Sequence, residues 1–150
     1  MLNSKDQTLT TIHLIVHTDG GSRGNPGPAA TGIVVSDASN KIVHSFGRYL
    51  GVATNNVAEY SAVYDALSWI IGHYPSPHPS LSFFLDSNLC VQQLNRVYKI
   101  KEPKLFDLAT KIWELINSHN LNVSFSYVPR EENRLADKEV NLTLDAFILK

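Results

Sequence analysis

One segment near the N-terminus constrains the fold more than any other, and it begins as an apolar-rich run from Ile12 to Asp19. The next nine positions, 20–28, contain four glycines and two prolines. Glycine permits positive φ and close backbone approach, whereas proline fixes φ and cannot continue a helix. The pattern predicts a buried strand over 11–18 that ends at Asp19, followed by a tight loop over 20–28. Asp-Gly is also a common turn without chemistry, so other acidic residues must decide whether this is a site.

The composition is that of a globular domain that functions away from membranes. A chain of 150 residues with 43% hydrophobic and 18% charged residues can bury one core. No apolar run approaches the roughly 20 residues of a membrane span, and the polar residues 1–10 lack the apolar centre of a secretory signal. A lone cysteine, Cys90, favours a reducing compartment, so we expect a cytoplasmic protein with this residue as core filler.

The charge distribution is more informative than the net charge of −1. Four basic residues fall within nine positions, interrupted by one acid and accompanied by Tyr98: Arg96, Lys99, Lys101 and Lys104. This stretch is a modest basic patch that could contact phosphates, and an ordinary solvated loop explains it equally well.

Apolar periodicity and turn residues predict strands and helices in the order β-β-β-α-β-α-α-β-α. The predicted strands cover 11–18, 29–35, 41–50, 81–85 and 122–128, and the predicted helices cover 57–73, 87–95, 105–117 and 132–142. A loop is expected over 51–56, and strand 81–85 is apolar enough to suggest burial on both faces.

This order predicts an α/β domain built on a mixed sheet that begins with antiparallel strands. Right-handed crossovers would place the first strand beside the fourth, with both strands central and parallel. Asp19 and Asp86 then follow neighbouring strands at the carboxyl edge of the sheet, where ligands bind in open α/β folds. We expect a disordered lead-in over 1–10, one domain over 11–142 and a C-terminal tail over 143–150.

Two further acids fall where this topology could bring them to the same edge. Glu59 shares a helical face with apolar residues, and Asp137 lies in the last predicted helix. Each acid also has an ordinary explanation: Asp86 as a helix N-cap, Glu59 as part of a capping box and Asp137 as a solvated residue. Taken together, gathered carboxylates repel one another unless a cation compensates them. Mg²⁺ is the natural cation for oxygen ligands, and no histidine or cysteine spacing suggests zinc.

Four segments resemble, in order and spacing, the signature motifs of the type 1 ribonuclease H family. They are Thr18-Asp-Gly-Gly-Ser-Arg-Gly-Asn-Pro-Gly-Pro28, Thr54-Asn-Asn-Val-Ala-Glu-Tyr60, Leu85-Asp-Ser-Asn88 and Val128-Pro-Arg-Glu-Glu-Asn-Arg-Leu-Ala-Asp137. The first two motifs are specific, and the resemblance covers roughly residues 12–141. It implies an α/β, ribonuclease H-like fold: a mixed five-stranded sheet, with antiparallel and parallel strands, flanked by helices.

The resemblance also implies an activity and its residues. A family member cleaves the RNA strand of RNA–DNA hybrids, leaving 3′-hydroxyl and 5′-phosphate ends, with two Mg²⁺ ions and with Mn²⁺ as an expected substitute. Asp19 would bridge both ions, Glu59 and Asp86 would complete one site, and Asp137 would hold the other. The substrate-binding positions implied by the motifs are Gly20, Gly21, Asn25, Asn55, Asn56, Ser87 and Asn88.

The sequence departs from the family pattern in two places. The short loop Pro129-Arg-Glu-Glu132 lacks the histidine that many members carry. Arg130 could substitute there as a cation near the phosphate, and an ordinary solvated turn arginine explains it equally well. All six histidines are therefore expected to be structural or surface residues. The basic stretch is shorter than in many members, so Lys99 and Lys101 are the remaining candidate phosphate contacts and hybrid affinity should depend strongly on salt.

Alternatives from other classes remain open at this point. One is a non-catalytic module that binds hybrids or RNA, and another is a DNA-directed nuclease of the same broad fold. Gathered carboxylates argue against the first, and asparagines suited to 2′-hydroxyl contact argue against the second. We expect no membrane association, no obligate protein partner and a monomer.

Overall fold

The computed structural model describes residues 12–148 and contains five strands and four helices in the predicted order. The strands are β1 His13–Ser22, β2 Gly27–Asp37, β3 Ile42–Ala53, β4 Ser80–Leu85 and β5 Val123–Tyr127, and the helices are α1 Asn55–His73, α2 Asn88–Leu94, α3 Pro103–Ser118 and α4 Arg134–Ile148. The lead-in predicted over 1–10 lies outside the described residues. Within 12–148, no helix is both long and apolar enough to cross a membrane.

The five strands form one mixed sheet in the order β3-β2-β1-β4-β5. β1 pairs antiparallel with β2, and β2 pairs antiparallel with β3. β4 lies parallel to β1 on one side and parallel to β5 on the other. The prediction that the first and fourth strands are central, parallel neighbours is confirmed.

The prediction of a loop over 20–28 is wrong, because β1 continues through Gly20 and Gly21. Gly20, Gly21 and Ser22 pair with β2, which itself begins at Gly27, so the connecting turn is only 23–26. Glycine weakens a strand but leaves its N–H and C=O free to pair, and an antiparallel partner was available. The loop predicted over 51–56 is likewise reduced to Thr54, whose side chain accepts a hydrogen bond from the Val57 N–H and caps α1.

The two faces of the sheet are covered by different helices. Successive strand residues point to opposite faces, and the neighbours Ala29 and Ala30 belong to different apolar clusters. The Ala29 side packs under α1, α2 and α3 and forms the main core. The Ala30 side packs against Val140 and Leu144 of α4. β4 is buried on alternate residues only, so the expectation of burial on both of its faces is wrong.

The last helix is longer than predicted and includes residues expected to lie in a tail. α4 begins at Arg134 and runs to Ile148, after a 3₁₀ turn over Arg130–Glu132. Leu144 is buried, and the Phe147 ring stacks on Tyr49 of β3 with 4.7 Å between ring centroids. The helix continues because β2 and β3 supply an apolar surface for it, which no local pattern reveals.

Glycines in the sheet let α4 lie close to it. A Cβ at Gly32 of β2 would overlap the carbonyl oxygen of Ala136, and one at Gly47 of β3 would overlap the Thr143 hydroxyl. Small residues are therefore required where this helix crosses the strands. The close approach also sets the position of Asp137, the residue after Ala136.

Candidate active site

Two of the predicted acids lie side by side where β1 and β4 stop pairing. The last parallel pair joins Thr18 to Leu85, and Asp19 and Asp86 are the next residue on each strand. Asp19 is not at the end of β1 as predicted, because the strand goes on to pair with β2. It is nevertheless the first residue beyond the parallel ladder, so it lies beside Asp86 at the carboxyl edge of β1 and β4.

Glu59 reaches the same place from the first turns of α1. The helix can approach because Gly20 has no side chain: a Cβ there would overlap the backbone of Ala58 and the Glu59 nitrogen. One carboxylate oxygen from each of Asp19, Glu59 and Asp86 lies within 4.8 Å of the others. The structure thus brings three of the four predicted acids into one cluster, with Asp19 only 7% and Glu59 only 9% exposed.

The fourth acid, Asp137, lies beside this cluster on the first turn of α4. Its side chain is within hydrogen-bonding reach of Asp19, although it is not among the three most closely grouped carboxylates. Its backbone N–H donates to the Asn133 carbonyl at 3.1 Å, which starts the helix. The two carboxyls are therefore placed to share a ligand.

The ordinary structural roles considered for the acids are not the ones observed. Ser87, rather than Asp86, caps α2 through its hydroxyl, which accepts from the Cys90 N–H at 3.2 Å. Thr54, rather than a capping box around Glu59, caps α1. Cys90 itself is buried as predicted.

Burial and mutual repulsion make the carboxyls of the cluster hard to ionise. Burial first, and then the charges of Asp86 and Asp137, raise the pKa of Asp19 to about 8. Burial followed by the nearby charges of Asp19 and Asp86 also raises the pKa of Glu59 well above its ordinary value. Without compensation, ionising the cluster is therefore costly.

Asp86 is under the same influence to a smaller extent. Burial raises the pKa of this carboxyl, while a hydrogen bond from Asn133 and the positive charge of Arg130 oppose the increase. The charge of Arg130 also favours the ionised form of Glu59. The exposed Arg130 side chain therefore acts electrostatically on the cluster, and it lines the same cleft as Asp19 and Asp137.

The donor set fits a hard divalent cation. The Glu59 Oε1 atom is buried and has no hydrogen-bond partner among the described residues, so a buried acceptor is left for something else to satisfy. The cluster offers carboxylate oxygens and no imidazole or thiol, which suits Mg²⁺ rather than Zn²⁺. A bound cation would relieve both the repulsion and the unsatisfied oxygen.

Two of the predicted substrate residues are tied together beside the acidic cluster. The Asn25 Oδ1 atom accepts from the Asn55 N–H at 3.0 Å, and the Asn55 Oδ1 atom accepts from the Ser22 N–H at 2.9 Å. Both side-chain oxygens are thus used to hold the 23–26 turn against the start of α1. Their NH₂ groups have no partner in residues 12–148 and lie on exposed side chains.

The remaining predicted substrate residues have mixed positions. Asn56 and Asn88 are exposed at the first turns of α1 and α2, and Ser87 is half-buried because its hydroxyl is the α2 cap. Gly21 lines the cleft. Gly20 also borders it, but its lack of a side chain is already required by the packing of α1.

The two candidate lysines lie away from the acidic cluster. Lys99 and Lys101 are exposed in the segment between α2 and α3, where they border a groove with Tyr98, Phe106 and Trp113. They do not border the cleft that contains Asp19. The two lysines therefore belong to a groove separate from the cleft of the acidic cluster.

Asn133 is the residue that the sequence reasoning did not single out. It is 1% exposed, and its side-chain NH₂ donates to the Thr18 carbonyl at 2.9 Å while the amide also bonds the Asp86 carboxyl. It therefore joins the start of α4 to the ends of both central strands. Its place four residues before Asp137, within the fourth motif at 128–137, is the signal that could have identified it.

Comparison with known proteins agrees with this geometry. A family model described as "Reverse transcriptase-like" matches residues 17–143. A bifunctional protein of Mycobacterium tuberculosis is 34% identical over 136 residues, which is 90% of this chain and 36% of that protein. Ribonuclease HI of Halobacterium salinarum is 36% identical over 127 residues, which is 85% of this chain and 62% of that protein.

Solved structures match this chain over a larger share of their own length. LC11-RNase H1, a protein isolated from compost and crystallised with an RNA/DNA hybrid, superposes with a TM-score of 0.85 at 38% identity. The match covers 90% of this chain and 99% of that one. This chain spans only 36% and 62% of the length of the two curated relatives. On the family match, the fold and the acidic cluster together, the chain belongs to the type 1 ribonuclease H family.

Proposed function

We propose that this protein is an endoribonuclease that hydrolyses the RNA strand of RNA–DNA hybrids and leaves 3′-hydroxyl and 5′-phosphate ends. The observation that carries the proposal is the cluster of Asp19, Glu59 and Asp86, whose oxygens lie within 4.8 Å of one another, with Asp137 beside it. The related LC11 enzyme was crystallised with such a hybrid, which supports the same substrate class here.

The four acids would hold two Mg²⁺ ions, for which Mn²⁺ could substitute. Asp19 would contribute to both ions, Glu59 and Asp86 to one, and Asp137 to the other. When bound, such a metal pair activates a water molecule and stabilises the leaving oxygen of a phosphodiester. The contribution of the chain itself is to hold ionised oxygens in place, with Asn133 orienting Asp86 through its amide.

The asparagines would recognise the hybrid without demanding a base sequence. The side-chain oxygens of Asn25 and Asn55 are engaged within the protein, so the NH₂ groups of these exposed residues would be the atoms that donate to the hybrid. Amides can donate to and accept from 2′-hydroxyls and base edges in a minor groove. Asn56, Asn88 and the hydroxyl of Ser87 would extend the contact, and Gly21 would leave room for the RNA backbone beside Gly20.

Arg130 and the two lysines would contribute charge rather than sequence recognition. Arg130 lines the cleft and would face the phosphate at the reacting bond, in place of the missing loop histidine. Lys99 and Lys101 would contact phosphates farther along the hybrid. We also propose a monomer acting in the reducing cytoplasm, in keeping with the single buried cysteine.

The test is cleavage of end-labelled RNA–DNA hybrid, with duplex DNA, duplex RNA and single-stranded RNA alongside. Each substrate is incubated with Mg²⁺, Mn²⁺ or chelator. Asp86→Asn removes a ligand from the cluster, and Asp107→Asn on the exposed surface of α3 is the matched control. We expect metal-dependent cleavage of the RNA strand of the hybrid alone, lost in Asp86→Asn and kept in Asp107→Asn.

Other outcomes would identify the alternatives. Hybrid binding without cleavage under any metal would show a non-catalytic binding module. Cleavage of duplex DNA in preference to the hybrid would show a DNA-directed nuclease. An Asp86→Asn variant that cleaves as fast as the parent would sink the assignment of the site.

A further inference from the structure

We propose that His78 and His119 form a binding site for a divalent transition-metal ion such as Zn²⁺, Ni²⁺ or Cu²⁺. His78 lies just before β4 and His119 just before β5, so both are near the amino ends of parallel strands. The acidic cluster lies at the carboxyl ends. The proposed site is therefore at the opposite edge of the sheet and is independent of the hydrolytic function.

Hydrogen bonds fix which nitrogen each imidazole offers. The His78 Nδ1 atom is 2.7 Å from the Tyr74 carbonyl oxygen, and the His119 Nδ1 atom is 3.0 Å from the Leu115 carbonyl oxygen. A carbonyl oxygen can only accept, so we assign the proton to Nδ1 in both rings. The Ser118 hydroxyl oxygen, 3.2 Å from the His119 Nδ1 atom, is then a second acceptor for the same N–H. In the neutral imidazole this assignment leaves an Nε2 lone pair, which is the arrangement found in metal-ligating histidines with a backbone partner.

The separation of the two rings is suitable for one shared ion. Their centroids are 5.7 Å apart in a T-shaped arrangement. With Zn–N distances of about 2.0–2.1 Å, a tetrahedral angle and a ring radius of about 1.2 Å, two ligating imidazoles have centroids about 5.2 Å apart. The observed separation is about 0.5 Å longer, so the two half-buried rings would move slightly closer on binding an ion.

The surroundings favour a cation at this place. α1 ends at His73 and α3 ends at Ser118, so both rings are held by carbonyls at helix C-termini, where the helix dipole is negative. Imidazole nitrogen binds Zn²⁺, Ni²⁺ and Cu²⁺ well and Mg²⁺ poorly. Water would complete the coordination of the ion. The bound ion would link the segment between α1 and β4 to the C-terminal end of α3.

Other histidines of the chain provide controls because they lack one of these features. Both ring nitrogens of His13 are already bonded, to the hydroxyls of Ser80 and Ser82. His73 has the same Nδ1 bond to a backbone carbonyl, but its ring stacks on Trp69 rather than on a second imidazole. His73→Gln is therefore the matched control for His78→Gln and His119→Gln.

The experiment is calorimetric titration of the untagged full chain with Zn²⁺, in excess Mg²⁺ to occupy the carboxylate cluster. In parallel, the imidazole Cε1–H signals are followed by NMR and the thermal midpoint is recorded. We expect one Zn²⁺ to bind, two imidazole signals to shift together and the midpoint to rise. Either His78→Gln or His119→Gln should weaken binding by more than the about 10–100-fold that outer-shell changes cost, and His73→Gln should not.

Two results would overturn the proposal. One is the absence of Zn²⁺-dependent shifts in any pair of imidazole signals of the parent protein, a measurement that does not depend on the folding of a variant. The other is Zn²⁺ affinity that is unchanged in both His78→Gln and His119→Gln. Hybrid cleavage in Mg²⁺ alone should be the same for all three variants, so failure here is distinguishable from failure of the proposed nuclease function.

Discussion

Replacing Asp19 with asparagine should make the metal-free protein more stable while abolishing hybrid cleavage. The carboxyl is 7% exposed, and burial together with Asp86 and Asp137 raises its pKa from 3.8 to about 8. The folded protein therefore binds a proton at Asp19 that the unfolded chain releases. Asparagine has the same shape and no charge, so it removes this conflict together with the metal ligand.

The magnitude follows from the pKa difference. At about 1.36 kcal/mol for each pKa unit, ionising Asp19 in the folded state costs about 5–6 kcal/mol more than in the unfolded chain. Relaxation of the folded protein around the charge makes the measurable gain in unfolding free energy smaller than this. We expect about 1–4 kcal/mol, the range seen when buried ion pairs are replaced by well-packed hydrophobic residues of similar volume.

The raised pKa of Asp19 also determines how the stability difference between the parent and Asp19→Asn changes with pH. Since the folded pKa is raised, the unfolded state binds fewer protons than the folded state between pH 3.8 and about 8. Stability contributed by this group therefore falls as pH rises through that window. The advantage of Asp19→Asn should be small near the low end of the window and largest at or above its high end.

The assay is urea unfolding in chelator at several pH values across this window, repeated with Mg²⁺. A cation that binds only the folded state should stabilise the parent and narrow its gap to Asp19→Asn. Asp107→Asn on the exposed face of α3 is the control and should behave like the parent. An Asp19→Asn variant that is no more stable than the parent at high pH, or whose advantage does not grow with pH, would refute the reasoning.

Three further predictions concern residues around the cluster. Gly20→Ala should cost at least about 1–3 kcal/mol in urea unfolding and reduce cleavage, because its Cβ would overlap α1. Gly21→Ala should leave the stability in urea unchanged, because its Cβ would meet only a methyl group at 3.6 Å. Asn133→Ala should lower the free energy of unfolding by about 1–3 kcal/mol and slow cleavage, because the Thr18 carbonyl loses its 2.9 Å donor and Asp86 loses a hydrogen bond. Wild-type values in both assays would contradict this. Arg130→Gln should slow cleavage while leaving stability within about 0.5 kcal/mol, since the side chain is exposed; an unchanged rate would make it a solvated turn residue.

Much of the architecture was predictable because its signals are local. Apolar periodicity, proline stops and turn residues gave the correct order of nine elements, and the handedness of crossovers correctly placed β1 beside β4. The errors in the assignment of the strands and helices were at their boundaries. β1 crossed Asp19 into the glycines because β2 was there to pair with it, and α4 passed Leu142 because β2 and β3 offered a surface to cover.

The sequence by itself determined which residues could do the chemistry: four acids in four recognisable motifs, with Asp19 and Asp86 each following an apolar strand. Only the tertiary structure decided how these acids come together, because the positions of Glu59 and Asp137 depend on backbone packing between segments that are distant in the sequence. Glu59 lies in the cluster because Gly20 has no side chain and α1 can pack closely on β1. Asp137 lies beside the cluster because Gly32 has no side chain and α4 can pack closely on β2. The raised pKa of Asp19 exists only after that assembly, since burial and the neighbouring charges cause it together. The sequence pattern therefore identifies the carboxylate ligands. The close packing of the helices on the sheet buries these carboxylates together, and a bound cation would compensate their repulsion.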